Sequence, residues 1–182
     1  HGRVAGSHLT SMHSMDNYYV SKLIPLMAEA GLAAIANPLI NITLQGRHDT
    51  YPKRRGMTRV PELLAAGIDV AFGQDCVLDP WYAFGSADML EVAHMGIHVG
   101  QMTAQAAIRQ AYAAITDIPA RILGLPHYGL REGNPADLVV LDAADPFHAI
   151  RLRARRLLVL RRGQVLFEQA PEPEMPELAF AD

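Results

Sequence analysis

The chain has 182 residues, of which 50% are hydrophobic and 19% are charged, and its formal net charge is −3. This composition allows a packed core and excludes disorder as the main state of the chain. The mild negative charge gives no basis for binding nucleic acid or an anionic membrane surface, so we expect neither partner. No apolar run reaches the roughly 18 residues that a membrane-spanning helix requires.

The chain contains a single cysteine, Cys76, which excludes an internal disulfide framework. Reduced thiols are typical of the cytoplasm, and we predict that location. The sequence begins with His1 and enters a strand-like run almost at once. We therefore expect the chain to be a piece of a longer protein.

Three short runs have the continuous apolar character of strands that are buried on both faces: Arg3–Ser7, Leu32–Ala36 and Ile68–Phe72. Helical periodicity is found in four segments: residues 17–31, 58–67, 86–100 and 103–116. The expected N-caps of the last three are Thr58, Ser86 and Thr103. The alternation of strands and helices is typical of βα units in a parallel sheet.

The character of the chain changes after these units. Residues 134–142 and 155–169 are rich in β-forming residues, and the second segment reads as a hairpin with Arg162-Gly163 at its turn. The last residues, 170–182, are rich in Pro and Glu and predict an extended tail. We divide the chain into an α/β barrel part, residues 1–126, and a β portion with its tail, residues 127–182.

The predicted fold class is therefore α/β, with about three βα units followed by a small β section. A complete (β/α)₈ barrel needs about 250 residues, so this chain cannot contain one. It is either a small open α/β domain or the C-terminal part of a larger enzyme.

Polar side chains follow each predicted strand, at Ser7-His8, Asn37-Pro38 and Gln74-Asp75. The carboxyl ends of parallel strands meet at one edge of the sheet, which is where parallel α/β folds place their reactive residues. His8 and Asp75 are candidate ligands of a divalent metal or hydrogen-bond partners of a metal-bound water. A carboxylate at such a site can also take a proton from that water and pass it on.

Each of these residue types also has a purely structural explanation. A histidine after a strand is commonly a loop or core residue, and an aspartate there is commonly the N-cap of the next helix. Cys76 is better interpreted as a small buried hydrophobic residue than as a nucleophile, because no Cys–His pairing is evident. Trp81 can simply pack within a loop.

Two further features can bind ligands in principle. His94 and His98 are four residues apart on a predicted helix, a spacing that can bind a metal, but no third ligand is nearby. We interpret them as packing or surface residues. The basic loop of residues 51–56 is of a kind that is usually solvated, although beside a site it can anchor a carbonyl or a phosphate.

Taken together, three segments resemble the C-terminal half of bacterial cytosine deaminases, within the amidohydrolase superfamily. They are residues 7–14 (SHLTSMHS), residues 36–99 (ANPLINITLQGRHDTYPKRRG through to GIHV) and residues 133–143 (GNPADLVVLDA). The similarity extends over about residues 1–165, and the middle block is its most specific part. The resemblance implies a metal-dependent (β/α)₈ TIM-type barrel with a small β-sandwich built from both chain ends.

The resemblance also implies roles for individual residues. Asp75 would ligate one divalent metal ion, zinc or iron, and help to deprotonate the attacking water. His8, at the end of the sixth barrel strand, would hydrogen-bond the hydroxide or the tetrahedral intermediate. Trp81 and Cys76 would contact a small heterocyclic substrate. The reaction would be hydrolytic deamination, in which metal-activated hydroxide attacks the amidine carbon and ammonia leaves.

The chain departs from the family pattern in two ways. The His-x-His pair of the first strand, the ligand His of the fifth strand and the Glu proton shuttle are absent, so we expect the chain to be inactive without the missing N-terminal half. The familiar enzymes have an acid directly after the metal Asp and a His before it, whereas this chain has Gln74-Asp75-Cys76. Neutral Cys76 removes a charge from the pocket, which predicts a different ring: isocytosine, 5-methylcytosine, or a related amino-heterocycle such as a triazine or creatinine.

Two alternatives stay open at this point. An amidohydrolase that cleaves a cyclic amide or an N-alkyl substituent would use the same Asp75 and His8. A non-catalytic chain that completes a partner is also compatible, because a half-barrel exposes unpaired strand edges that need covering. We further expect the complete protein to be a homo-oligomer.

Overall fold

A computed structural model of the chain describes residues 2–171. Its first sheet is parallel and contains β1 (Ala5–Ser7), β2 (Ala33–Ala36) and β3 (Val70–Phe72), in that spatial order. The three strands predicted from apolar runs are confirmed, and each begins one or two residues later than its run. The mixed α/β class is confirmed as well.

The helices of the described residues are α1 (Asn17–Glu29), α2 (Pro38–Leu44), α3 (Val60–Ala65), α4 (Met89–Val99), α5 (Gln105–Ala113), α6 (Asp117–Ile122) and α7 (Pro146–Leu152). A single 3₁₀ turn, Thr10–His13, lies between β1 and α1. The four predicted helical segments correspond to α1, α3, α4 and α5. Helices α2 and α7 were not predicted from the sequence; both are seven residues long and begin with Pro.

The three predicted N-caps, Thr58, Ser86 and Thr103, are wrong. Asp88 caps α4, where its carboxylate accepts a hydrogen bond from the Leu90 backbone N–H at 2.8 Å, while the Ser86 hydroxyl donates to Glu91. A carboxylate is the stronger acceptor at the positive end of a helix. The Thr58 hydroxyl is buried 3.3 Å from Met12 Sδ, and the residue before α5 is Ala104, which has no side-chain acceptor.

The core is formed by the parallel sheet and the helices that cover it. Every residue of β3 is buried, as expected for a strand that is covered on both faces. Helix α4 approaches this strand closely at Gly96, where an added Cβ atom would lie only 2.5 Å from Phe72 Cε2. The sheet therefore has a fixed helical support directly behind β3.

The second sheet is antiparallel and contains β4 (Leu138–Leu141), β5 (Arg156–Arg161) and β6 (Gln164–Glu168). The predicted hairpin is confirmed: Arg162 and Gly163 form its turn with φ angles of 51° and 78°. Two successive positive φ angles are typical of a two-residue hairpin turn.

Among the described residues, the segment with the antiparallel sheet contacts the segment with the parallel sheet through a helix and through an ion pair. Helix α7, which lies between β4 and β5 in the chain, packs against α4 and α5. Arg156 of β5 makes a bidentate hydrogen bond to Asp88, the N-cap of α4. The domain boundary at residues 126/127 stays a prediction, and most of the predicted tail, residues 172–182, lies outside the described residues. Within residues 2–171, no helix has both the length and the apolar character needed to cross a membrane.

Candidate active site

The candidate site lies at the carboxyl end of the parallel sheet. His8 directly follows β1, and Asp75 follows β3 after a two-residue extension. Because β2 separates these strands, their backbones are roughly 10 Å apart. His8 Nε2 and Asp75 Oδ2 are nevertheless only 3.1 Å apart. The two side chains therefore meet across the end of β2.

Both residues adopt a backbone conformation that non-glycine residues usually avoid. The φ angle is 64° at His8 and 62° at Asp75. The His8 backbone N–H still donates to Ile35 O at 2.8 Å, so the turn begins while the chain is held to β2. Left-handed backbone costs a residue with a Cβ atom roughly 1–2 kcal/mol. Seven other non-glycine residues of the described part of the chain also have a positive φ, so the meeting of the two side chains, and not the strain alone, favours a functional interpretation of the pair.

The structural explanation of Asp75 as a helix cap does not hold. The next helix, α4, begins at Met89 and is capped by Asp88. Asp75 instead directs one carboxylate oxygen towards His8, and its side chain is 30% exposed. Its surroundings are those of a polar group at the edge of a site.

The floor of the site is formed by buried Asn37 at the end of β2. Its side-chain amide donates to Ser7 Oγ at 3.4 Å. A Cβ atom at position 73 would fall well inside the van der Waals radius of Asn37 Oδ1, so Gly73 is required by this close approach. The ends of all three strands are thus in contact through one side chain.

Asn41 is a site residue that the sequence analysis missed. It is buried in α2, and its Nδ2 lies 3.0 Å from His8 Nδ1. Its Oδ1 lies 3.2 Å from the backbone nitrogen of Asn37. The available signal was the spacing of Asn37 and Asn41, which are four residues apart and so share one helix face. That signal is usable only once α2 is recognised as a helix.

Cys76 lies beside the pair, with its Sγ 3.7 Å from Asp75 Oδ1. A hydrogen bond to Asp79, together with burial and the charge of Asp75, raises the pKa of the Cys76 thiol to about 11. The thiol is therefore protonated at neutral pH. An activated cysteine nucleophile requires the opposite shift, so the arrangement argues against that role.

Asp79 organises the loop that carries Trp81. The hydrogen bond from Cys76 and the backbone N–H groups of Tyr82 and Trp81 together lower the pKa of Asp79, against the effect of burial. Asp79 Oδ1 accepts from Trp81 N–H at 2.9 Å and from Tyr82 N–H at 3.0 Å. The Trp81 residue is 71% exposed. Its contact with a substrate stays a prediction.

The residues present can supply part of the ligand set of a divalent metal ion. Among the described residues, the one hydrogen-bond contact of Asp75 Oδ1 is the long one with the Cys76 thiol, and a carboxylate oxygen is a suitable ligand for zinc or iron. Among residues 2–171, no group of three or more His, Cys, Asp or Glu side chains is arranged to hold a metal ion. Gln74 directly precedes Asp75, and its Oε1 is buried and has no hydrogen-bond partner among residues 2–171. A complete metal site thus requires donors from outside this part of the chain.

His94 and His98 lie on α4 and make no recorded contact with the residues of this arrangement within residues 2–171. Their rings are 4.5 Å apart, and His94 Nε2 is 3.3 Å from the guanidinium of Arg153. Burial, the neighbouring His98 and Arg153 lower the pKa of His94. A cation beside these rings opposes metal binding, in line with their interpretation as packing or surface residues.

Residues 1–167 match the model of the amidohydrolase family, and the chain belongs to that family. The resemblance stated from the sequence is thereby confirmed at the level of the family.

Individual relatives extend this finding. The structure of 5-methylcytosine deaminase from Klebsiella pneumoniae, liganded with 5-fluorocytosine, is 41% identical with a TM-score of 0.92 over 96% of this chain and 43% of that chain. A pterin deaminase of Rhizobium rhizogenes is 34% identical over 94% of this chain and 39% of the relative. The structure of N-isopropylammelide isopropylaminohydrolase from Burkholderia multivorans is 28% identical with a TM-score of 0.77, over 91% and 39%. The chain thus spans about two fifths of the length of these relatives.

Proposed function

We propose that this chain is the C-terminal part of a metal-dependent amidohydrolase that deaminates a small amino-heterocycle by hydrolysis. The observation that carries the proposal is the contact of His8 with Asp75 at 3.1 Å, made by two residues in left-handed conformation at the carboxyl end of a parallel sheet. The names of two relatives, a 5-methylcytosine deaminase and a pterin deaminase, support this type of reaction.

We further propose that a (β/α)₈ barrel is completed by chain outside the present sequence. Within the described residues, β1 and β3 are the edge strands of the parallel sheet, and each has one unpaired side. Unpaired edges of buried parallel strands need covering. The greater length of the relatives supports such a completion. The present chain alone would then be inactive.

In this proposal Asp75 and His8 have different functions in the reaction. Asp75 would be a metal ligand, and the bound metal would supply a water acidic enough to react at neutral pH. The second function of Asp75 is to take the proton of the attacking water and deliver it to the departing nitrogen. His8 would hold the reacting oxygen by a hydrogen bond from Nε2, the ring nitrogen that faces Asp75 in the structure. The water oxygen bonds to the ring carbon, the bond from that carbon to the amino nitrogen breaks, and ammonia leaves.

The substrate in this proposal is a cytosine-related ring with an exocyclic amino group. Cys76 supports this, because its protonated thiol places a neutral group next to Asp75 where the familiar cytosine deaminases have an acid. Isocytosine and 5-methylcytosine are the first candidates. Pterin joins them because its amino-bearing ring is an isocytosine and one relative is a pterin deaminase.

A second candidate is removal of an N-alkyl group from a triazine. The likeness to N-isopropylammelide isopropylaminohydrolase favours it, and the same Asp75–His8 pair would serve. The two candidates differ in the amine that leaves, which is ammonia in the first and an alkylamine in the second.

The test is an amine-release assay on the full-length, zinc-loaded parent protein. The substrate panel contains cytosine, isocytosine, 5-methylcytosine, pterin and N-isopropylammelide. We expect ammonia from at least one of the first four and none from a preparation of the present 182 residues alone. Release of isopropylamine only would support the second candidate, and release of neither amine would contradict both.

A further inference from the structure

We propose that Asn41 determines which ring nitrogen of His8 carries the hydrogen, and that it thereby makes His8 a hydrogen-bond donor towards Asp75. The inference rests on the proposed function, in which His8 and Asp75 are the reacting pair. Asn41 would be a positioning residue, since it acts on the chemistry only through His8. It is the fourth residue of α2 and is 2% exposed.

The orientation of the Asn41 amide is set by the start of α2. The Asn37 backbone N–H points at the Asn41 side chain at 3.2 Å. A backbone N–H can only donate, so the atom facing it must be Oδ1. The next residue, Pro38, has no N–H and offers no competing donor. The NH₂ group of Asn41 must therefore point the other way, towards His8.

The orientation of the amide then determines the state of the imidazole. Asn41 Nδ2 lies 3.0 Å from His8 Nδ1, and an amide nitrogen has no lone pair with which to accept. His8 Nδ1 must supply the lone pair, so the hydrogen of the neutral ring is on Nε2. His8 Nε2 is the atom 3.1 Å from Asp75 Oδ2, and a carboxylate only accepts.

Two hydrogen bonds therefore run in one direction: Asn37 N–H donates to Asn41, and Asn41 donates to His8. Reversing either of them would place two donors or two acceptors face to face. The hydrogen on His8 Nε2 then belongs to the nitrogen that lies 3.1 Å from the Asp75 carboxylate, which can only accept.

Asn41 has little freedom to move away from this position. Its own backbone oxygen accepts from Gln45 N–H at 2.9 Å, and a Cβ atom at Gly56 would lie 2.9 Å from the same oxygen. The helix is thus held by its own hydrogen bonds and by the close approach of the chain at Gly56. A fixed amide that specifies one tautomer is the kind of support that orients a reactive histidine.

The first test reads the two ring nitrogens of His8 directly. The full-length, zinc-loaded protein is labelled with ¹⁵N-histidine, and the His8 signals are identified by their loss in a His8→Gln variant. Protonated and unprotonated imidazole nitrogens resonate far apart. We expect an unprotonated Nδ1 and a protonated Nε2. The reverse pattern in the wild-type protein would overturn the inference, so this test needs no substitution of Asn41.

The second test changes Asn41→Asp, which replaces the donor facing His8 Nδ1 by an acceptor. We expect a hydrogen to appear on Nδ1, which is unprotonated in the wild type, and turnover of the substrate that the wild type accepts to fall about 10- to 100-fold. Asn17→Asp is the matched control: it adds the same charge on α1 and keeps an acceptor for Arg59 Nη1, which donates to Asn17 at 2.8 Å. Its His8 spectrum should equal that of the wild type.

The outcomes separate the two proposals. A folded Asn41→Asp variant with an unchanged His8 spectrum overturns the role of Asn41, even if the wild type is an active deaminase. If that variant does not fold, the wild-type spectrum tests the inference by itself, because a protonated Nδ1 and an unprotonated Nε2 would overturn it. If the spectra behave as expected but no ring on the panel is deaminated, the hydrogen placement stands and the proposed function is refuted.

Discussion

His8 and Asp75 show which properties of a site can be inferred from single residues. Each was singled out because it follows an apolar run, and the structure places them 3.1 Å apart. Their shared left-handed conformation could not be inferred, since neither residue is glycine. Asn41 was not predicted as a site residue for another reason. Its role depends on two hydrogen bonds of its side chain, one with Asn37 and one with His8, which only the structure shows.

At the residue scale, the identity of residue 76 is expected to tune the choice of ring. Changing Cys76→Asp restores an acid directly after Asp75, and we predict a shift of kcat/KM towards cytosine relative to 5-methylcytosine. A hydrogen bond to a charged group is worth about 1.5–3 kcal/mol, so the ratio of the two kcat/KM values should change by roughly 10- to 150-fold.

The matched control for this change is Cys76→Ser, which keeps a small neutral group at the same position. Its substrate ratio should stay near that of the wild type. The measurement is the pair of kcat/KM values in the full-length protein. An unchanged ratio in the Asp variant would show that residue 76 does not select the ring.

At the scale of elements, apolar runs predicted the strands well, while helix starts were predicted poorly. The parallel strands are buried on both faces, and continuous apolar character follows from that burial. Caps depend on which of several neighbouring acceptors is correctly placed, as Asp88 shows by capping α4 two residues after Ser86. Helix α2 was missed because most of its seven residues, PLINITL, are apolar, so that they show no clear alternation of a polar and an apolar face.

The packing of α4 on β3 provides a test at this scale. We predict that Gly96→Ala destabilises the protein, because the new methyl group would lie 2.5 Å from Phe72 Cε2. Overpacking typically costs about 1–3 kcal/mol. This exceeds the roughly 1 kcal/mol by which alanine is the better helix former. Thermal unfolding of the full-length protein measures the net change.

A double-mutant cycle identifies the cause. Phe72→Leu removes the ring edge that meets the new methyl group, so the pair of changes should cost less than the sum of the two single changes. Additive costs would show that the clash is elsewhere. A Gly96→Ala variant as stable as the wild type would contradict the close packing of α4 on β3.

At the scale of the whole molecule, the fold class and the hairpin were predictable, while the connection between the two parts was not. The contact of Arg156 with Asp88 joins residues that are far apart in the sequence. No local pattern encodes such a pair, because each partner alone reads as an ordinary surface charge. The strands of the antiparallel sheet were predicted from their apolar residues. The sequence did not indicate that several of these residues, such as Val165 and Leu166, are exposed in the structure.

The Asp88–Arg156 contact predicts a pH dependence of stability. Burial raises the pKa of Asp88, but the hydrogen bonds from Arg156 and the α4 backbone outweigh it, so the pKa lies below its ordinary value of 3.8. A carboxyl with a lowered pKa stabilises the folded state above the ordinary value, and this stability is lost as the pH falls through the folded-state pKa.

Asp88→Asn isolates that contribution, because asparagine keeps the N-cap and removes the charge. We expect the variant to be less stable by about 1–2 kcal/mol above pH 5, since a charged hydrogen bond on a partly exposed group is worth about that much. The difference should shrink below pH 4. Urea unfolding at several pH values measures it, and a difference that is constant with pH would contradict the assignment.

The most direct test of the account is ammonia release by the full-length, metal-loaded protein carrying Asp75→Asn. The matched control is Asp145→Asn, which alters an aspartate whose Oδ1 lies 3.0 Å from His148 Nδ1 on α7, outside the candidate site. We predict that Asp75→Asn lowers turnover by at least about 10²- to 10⁴-fold, the usual contribution of a proton-transfer residue. The control should keep the wild-type rate. Substantial turnover in the Asp75→Asn protein would contradict the proposed chemistry.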